Sequence, residues 1–189
     1  MKKTLLPFLL VSMVLVSAAV AQQPQRMSTI VLVRHAEKAS ADQDAVLSAA
    51  GQQRAECLAR VLKDSNIKRI LVTDTKRTQQ TAEPLAKAMG IKPVVIAARD
   101  TAAVAQNIFY GTGGNALVVG HSNTLPTIIQ RVQAGTVPAI DDNEYDGMYV
   151  LTIMEGSSTQ VIKLHYCAPS PQGPTPGMEA PTKAPTKKK

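Results

Sequence analysis

The chain has 189 residues, no tryptophan, 3% aromatic residues and a formal net charge of +7. Much of that charge sits at its two ends, in Lys2 and Lys3 and in Lys183, Lys187, Lys188 and Lys189 against Glu179, which leaves about +2 on the segment between. So small an excess, with no interleaving of basic and aromatic residues, excludes a nucleic-acid-binding surface and leaves a core to be built from aliphatic side chains.

In chain order, Lys2 and Lys3 precede an apolar stretch from Leu5 to Val20, and Ala19-Val20-Ala21 fits an A-x-A cleavage site. This pattern reads as a secretory signal peptide over residues 1–21, with the mature chain beginning at Gln22 and a periplasmic or secreted destination. An uncleaved anchor is the rival reading, but the stretch is short for a membrane span. Ile30-Val31-Leu32-Val33 reads as a short buried strand, and Arg34, His35, Ala36 and Glu37 follow it directly. Ser48 can cap a helix to about Lys63, with Ala55, Leu58, Ala59 and Leu62 on one face.

Ile70 to Thr73 predicts a second strand. Asp74 or Thr75 then caps a helix ending near Gly90, where the internal Pro84 predicts a kink or a helix in two pieces. Val94 to Ala97 is a third strand, and Asp100 or Thr101 starts a helix to about Tyr110. Gly111 to Asn115 reads as a turn; it precedes a strand, so it is not a phosphate-binding glycine loop. Ala116 to Val119 is the fourth strand, ending in Gly120-His121-Ser122-Asn123, with a helix from Asn123 to Arg131 and Pro126 in its first turn. An irregular connection from Gly135 to Asp146 leads to strands Met148–Met154 and Gln160–Tyr166, joined at a hairpin signal, Glu155 to Ser158. Alternating strands and helices closed by a hairpin predict an α/β fold with a mostly parallel sheet and helices on both faces. Residues 22–167 would form that domain. Residues 168–189, rich in Pro, Thr and Lys, read as a disordered tail that could make weak contact with an anionic envelope surface.

Three stretches carry chemistry. A strand ends in Arg34-His35, a helix start holds Arg77-Thr78-Gln79-Gln80-Thr81-Ala82, and another strand ends in Gly120-His121. In an open α/β sheet such strand ends are where ligands bind. The trio resembles the histidine phosphatase superfamily, also called phosphoglycerate-mutase-like. Its Arg-His-Gly, Arg-x-x-Gln-Thr-Ala and Gly-His signatures are matched in order, with Ala36 in place of the first glycine. The likeness runs from about Thr29 to Tyr166.

The resemblance implies a three-layer α/β/α sandwich with six strands, the fifth antiparallel. It makes His35 the nucleophile and a transient phosphohistidine, with Arg34, Arg77 and His121 completing the catalytic set. No metal or other cofactor is required. Two guanidinium forks suit the charge spread over the oxygens of a phosphoryl group in transfer. A helix N-terminus after His121 would add backbone donors near Ser122 and Asn123, placing Ser122 with Arg34, Arg77 and His121 in the phosphate-binding set.

The general acid is the open question. Asp100 follows the third strand but also suits a helix cap, and Glu37 suits a partner for an arginine or for Lys38. Asp141, Asp142, Glu144 and Asp146 precede the fifth strand; one of them could reach the pocket, or all could be solvated. His165 reads as structural. Mutases of the family carry asparagine six residues after the nucleophile; here that position is Ala41, and the connecting segments are brief. Hydrolysis at an open pocket is the expectation.

The leading reading is thus an exported phosphomonoesterase acting on a small-molecule or surface phosphomonoester. A protein phosphohistidine phosphatase, an envelope glycolipid or sugar phosphatase, and a non-catalytic phospholigand binder are the alternatives. Cys57 and Cys167 are the only cysteines. A disulfide and two free thiols both stay open, and no arginine lies six residues after either, which excludes a cysteine-based phosphatase loop. Oligomeric state is not readable.

Overall fold

The computed structural model describes residues 27–110, 114–154 and 159–170. The signal-peptide segment, most of the tail, the greater part of the Gly111–Asn115 turn and the Glu155–Ser158 hairpin tip lie outside the described residues. No described helix is long and apolar enough to cross a membrane.

Six strands form one sheet: β1 (Met27–Arg34), β2 (Ile67–Thr73), β3 (Val94–Ile96), β4 (Asn115–Gly120), β5 (Gly147–Met154) and β6 (Gln160–His165). Their order is β3-β2-β4-β1-β5-β6. β1 to β4 run parallel, and β5 is antiparallel to both its neighbours, as expected. The register sets Arg34 opposite Gly120, so the residues after β1 and β4 emerge side by side at the carboxyl edge.

The helices are α1 (Ala49–Leu62), α2 (Lys76–Met89), α3 (Thr101–Tyr110) and α4 (Leu125–Arg131). Alternation along β1 divides the core. Ile30 and Leu32 pack with Val104, Ile108, Ile128 and Ile129 of α3 and α4. Val31 and Val33 pack with Leu58, Leu62 and Leu85 of α1 and α2. A strand buried on both faces reads as a continuous apolar run, which is why Ile30 to Val33 is so plain in the sequence.

Most predicted boundaries stand within a residue or two; β1 and β2 each begin three residues earlier than predicted, at Met27 and Ile67, and α2 and α4 differ in detail. β2 begins at Ile67, because Ile67 and Ile70 enter the core while Lys68 between them stays exposed and breaks the apolar run. α2 runs through Pro84 in one piece, ended by Gly90 in the left-handed region. Thr81, Ala82, Leu85 and Ala86, on either side of the proline, are buried, and that packing holds the helix across the missing hydrogen bond. α4 starts at Leu125, since residues after His121 first make a turn in which Thr124 and Leu125 both donate to the His121 carbonyl.

Cys57 of α1 and Cys167 are joined in a disulfide, which settles the open alternative and fixes the chain after β6 to α1.

Candidate active site

His35 is 4% exposed and Arg34 5%, both at the end of β1. The His35 backbone continues the ladder by donating to Gly120 O at 2.9 Å. Its Nδ1 lies 2.8 Å from the Ala36 carbonyl, an acceptor only, so Nδ1 carries the proton. Nε2 is then the atom with a free lone pair, and it has no hydrogen-bond partner among the described residues. The next peptide is pinned as well. Ala36 N donates to Thr81 Oγ1 at 2.9 Å, and that hydroxyl donates to Arg77 O at 2.7 Å. The threonine of the Arg-x-x-Gln-Thr-Ala segment thus ties α2 to the residue after His35. Ala36, where the family has glycine, is fully buried with Leu47 and Ala55.

His121 stands across from His35, ring centroids 5.4 Å apart. Its Nδ1 is 3.4 Å from Arg77 Nη2, which can only donate, and its Nε2 is 3.0 Å from Thr73 Oγ1. The neutral ring therefore carries its proton on Nε2. A chain of hydroxyls receives it: Thr73 Oγ1 lies 2.9 Å from Thr78 Oγ1, and Thr78 donates to the carbonyls of Thr73 and Thr75. Burial, aided by the charges of Arg34 and Arg77, lowers the pKa of His35 to about 3. Burial followed by the fields of Arg77 and Arg34 lowers that of His121 to about 4. Both rings are neutral at neutral pH. An anion's charge in the pocket would offset those fields and favour the protonated rings.

Each arginine keeps a donor in reserve. Arg34 Nη1 donates to Asp141 O at 2.8 Å and Glu144 O at 3.2 Å, and Arg77 Nη1 donates to Gln43 O. The Nε atoms of both are buried without a partner. Unpaired buried donors are costly, and two of them on the arginines whose charges act on His35 suit an oxyanion. Tyr145 lies over Arg34, its ring centre 4.3 Å from Cζ and 6.2 Å from the His35 ring. The Ser122 hydroxyl faces Asp142 Oδ1 at 3.2 Å, and Ser122 belongs to the turn before α4 rather than to a helix N-terminus.

Two of the acid candidates named from sequence, Asp100 and Glu37, are engaged elsewhere. Asp100 Oδ1 accepts from Ala103 N and caps α3. Glu37 accepts from Arg54 through both oxygens, at 2.7–3.0 Å. A side chain at Gly51 would put its Cβ 2.2 Å from Glu37 O, so the glycine lets α1 seat against that residue. His165 pairs with Asp146 at 3.0 Å, a structural contact.

Several site residues escaped the sequence reading: Thr73, Thr78 and Thr81 behind the histidines, Gln43 against Arg77, and Tyr145 over Arg34. Tyr145 had a usable signal, as one of few aromatics and placed just before a strand that starts at the active edge.

No group of three or more potential metal ligands occurs among the described residues. The sequence model of the histidine phosphatase superfamily (branch 1) matches residues 30–100, which hold the first two motifs. No curated protein matches in sequence. Among solved structures, the protein histidine phosphatase SixA complexed with tungstate superposes with a TM-score of 0.58 at 17% identity, covering 72% of this chain and 96% of that one. Mycobacterial hydrolase 2 gives 0.60 at 14% identity, covering 79% and 94%. A mycobacterial glucosyl-3-phosphoglycerate phosphatase, Rv2419c, complexed with VO3, gives 0.56 at 15% identity, covering 73% and 97%. At these identities the structures show a shared fold. Residues 30–100 are thus similar to the histidine phosphatase superfamily (branch 1), the described domain shares the fold of these structures, and the pairing of β1 and β4 brings His121 beside His35.

Proposed function

We propose that this chain hydrolyses phosphomonoesters through a phosphohistidine on His35, without a metal, after export from the cytoplasm. The observation that carries the reading is the state of His35: Nδ1–H fixed on the Ala36 carbonyl, Nε2 open, and the charges of Arg34 and Arg77, each with an unpartnered Nε, acting on the ring. In the first step Nε2 bonds to phosphorus as the ester P–O bond breaks and the alcohol oxygen leaves. Arg34, Arg77 and, once charged, His121 hold the phosphoryl oxygens, the positioning and charge stabilisation on which this chemistry depends. In the second step water attacks phosphorus, the N–P bond breaks, and inorganic phosphate departs with His35 neutral again. The disulfide supports export, since such bonds persist in oxidising compartments. The A-x-A pattern ending at Ala21 supports it independently.

The test is rapid quench of the mature protein with a ³²P-labelled phosphomonoester, with and without thorough chelation. The expected result is acid-labile label on the peptide containing His35 and turnover indifferent to chelation. Label on a serine or on His121, or activity lost on chelation and restored by a divalent ion, overturns the mechanism.

A further inference from the structure

We propose that Asp142 is the proton donor to the leaving group, and that the substrates are accordingly phosphomonoesters of alcohols, whose alkoxides need that proton. This rests on the phosphatase reading above.

The connection before β5 closes over Arg34. Arg34 Nη1 holds the carbonyls of Asp141 and Glu144, and the turn between them is tied by Glu144 N to Asp141 O at 3.0 Å and Asn143 N to Asp141 Oδ1 at 2.8 Å. Asp142 projects from this turn. Its Oδ1 is 3.7 Å from Arg34 Nη2 and 3.2 Å from Ser122 Oγ, so the carboxylate bridges the nucleophile's neighbour to the residue after His121.

Every other nearby carboxylate is engaged. Asp141 closes its own turn, Glu144 pairs with Lys163 at 2.6 Å, and Asp146 pairs with His165 and Ser170. Asp44 pairs with Lys76, Asp74 accepts from Ala98 N, Glu37 holds Arg54, and Asp100 caps α3. Asp142 is the carboxylate that combines contact with Arg34 and an open side chain, 91% exposed.

In-line displacement fixes where the acid must stand. His35 is buried and Asp142 exposed, so on this proposal the leaving oxygen is set toward solvent, within reach of that carboxylate. A phosphoryl group held by Arg34 brings negative charge against this carboxylate, and like charges in contact favour sharing a proton. That proton passes from Asp142 to the leaving oxygen as the P–O bond breaks, giving a neutral alcohol and an Asp142 carboxylate. In the second step the carboxylate takes a proton from the attacking water, which restores the acid as phosphate forms.

The experiment compares wild type with Asp142→Asn and Asp142→Glu on a graded set of phosphomonoesters, from simple alkyl phosphates to 4-nitrophenyl phosphate. A general acid is typically worth 10²–10⁴-fold, so Asp142→Asn should slow alkyl ester turnover by roughly 100-fold or more. It should leave the rate of phosphoenzyme formation from 4-nitrophenyl phosphate, whose leaving group needs no proton, within about threefold, which also shows the variant is folded, while the water-attack step common to all esters slows. Asp142→Glu should recover part of the alkyl activity. Equal losses in the rate of phosphoenzyme formation on all esters, or tighter phosphate binding with unchanged leaving-group dependence, overturn the assignment; the second would make Asp142 a carboxylate that only competes for Arg34. A wild-type protein that forms no phosphoenzyme with any ester overturns the phosphatase reading itself.

Discussion

His35 and His121 end neighbouring parallel strands, face each other across 5.4 Å, and are both held neutral by burial and two arginines. They differ in what holds their second nitrogen. His35 gives its proton to a backbone carbonyl of the next residue, a partner that no side-chain motion can withdraw, and presents Nε2. His121 gives its proton to a threonine hydroxyl and presents Nδ1 to Arg77. The first arrangement suits a nucleophile that must keep one lone pair aimed at phosphorus. The second suits a donor recruited by charge, because the hydroxyl chain behind the ring adapts and the arginine in front competes until a phosphate arrives.

The sharpest way to break this contrast is to remove each ring. His35→Ala should abolish acid-labile labelling and lower turnover by on the order of 10⁴–10⁶, the scale of a lost nucleophile. His121→Ala and Arg77→Ala should each cost on the order of 10²–10³, the scale of a lost oxyanion donor, with label still on His35. Rapid quench with the same ester reads both quantities. Comparable losses of label from the two histidine variants would erase the distinction.

Stability against pH gives a second handle. Each histidine binds its proton less readily in the folded chain than at its ordinary value of 6.5. Between about 4 and 6.5 the unfolded chain therefore carries more protons, and stability rises with pH through that window and levels off above it. Where both rings are neutral folded and charged unfolded, the pair contributes a slope of roughly 2.7 kcal/mol per pH unit. Denaturant unfolding between pH 4.5 and 7.5 should show that rise. His121→Gln should remove about half of the contribution, and a slope unchanged by the substitution would mean that His121 is not held neutral by the fold.

This contrast also marks how far the sequence could be read. The floor of the site was legible because it is local. Ile30 to Val33 and Ala116 to Val119 are apolar runs that can only be buried strands, and each delivers a histidine at its carboxyl end. The mostly parallel sheet followed from the alternation of strands and helices, and the antiparallel fifth strand from the family resemblance. What holds the floor was not legible, because it is through-space. Arg34 reaches Asp141 across 107 positions, and Thr73 meets His121 across 48. Asp142 looked like one member of a solvated acidic run, and only the folded turn separates it from Asp141, Glu144 and Asp146. The pairing of Cys57 with Cys167 likewise depends on where β6 ends against α1.

The finest test addresses the hydroxyl behind His121. Thr73→Val keeps the shape of a buried, β-branched residue at the end of β2 but removes the acceptor for the Nε2 proton. A neutral hydrogen bond of this kind contributes about 1 kcal/mol net, so kcat/KM should fall roughly fivefold. The ring would lose its preference for protonation at Nε2, and the neutral tautomer with its proton on Nδ1 would point that proton at Arg77. Labelling at His35 should keep full stoichiometry and only slow. The measurement is single-turnover labelling beside steady-state kinetics on one ester. If Thr73→Val abolished the label altogether, the threonine chain would be supporting His35 through the floor of the pocket, and the division of labour between the two histidines would have to be redrawn.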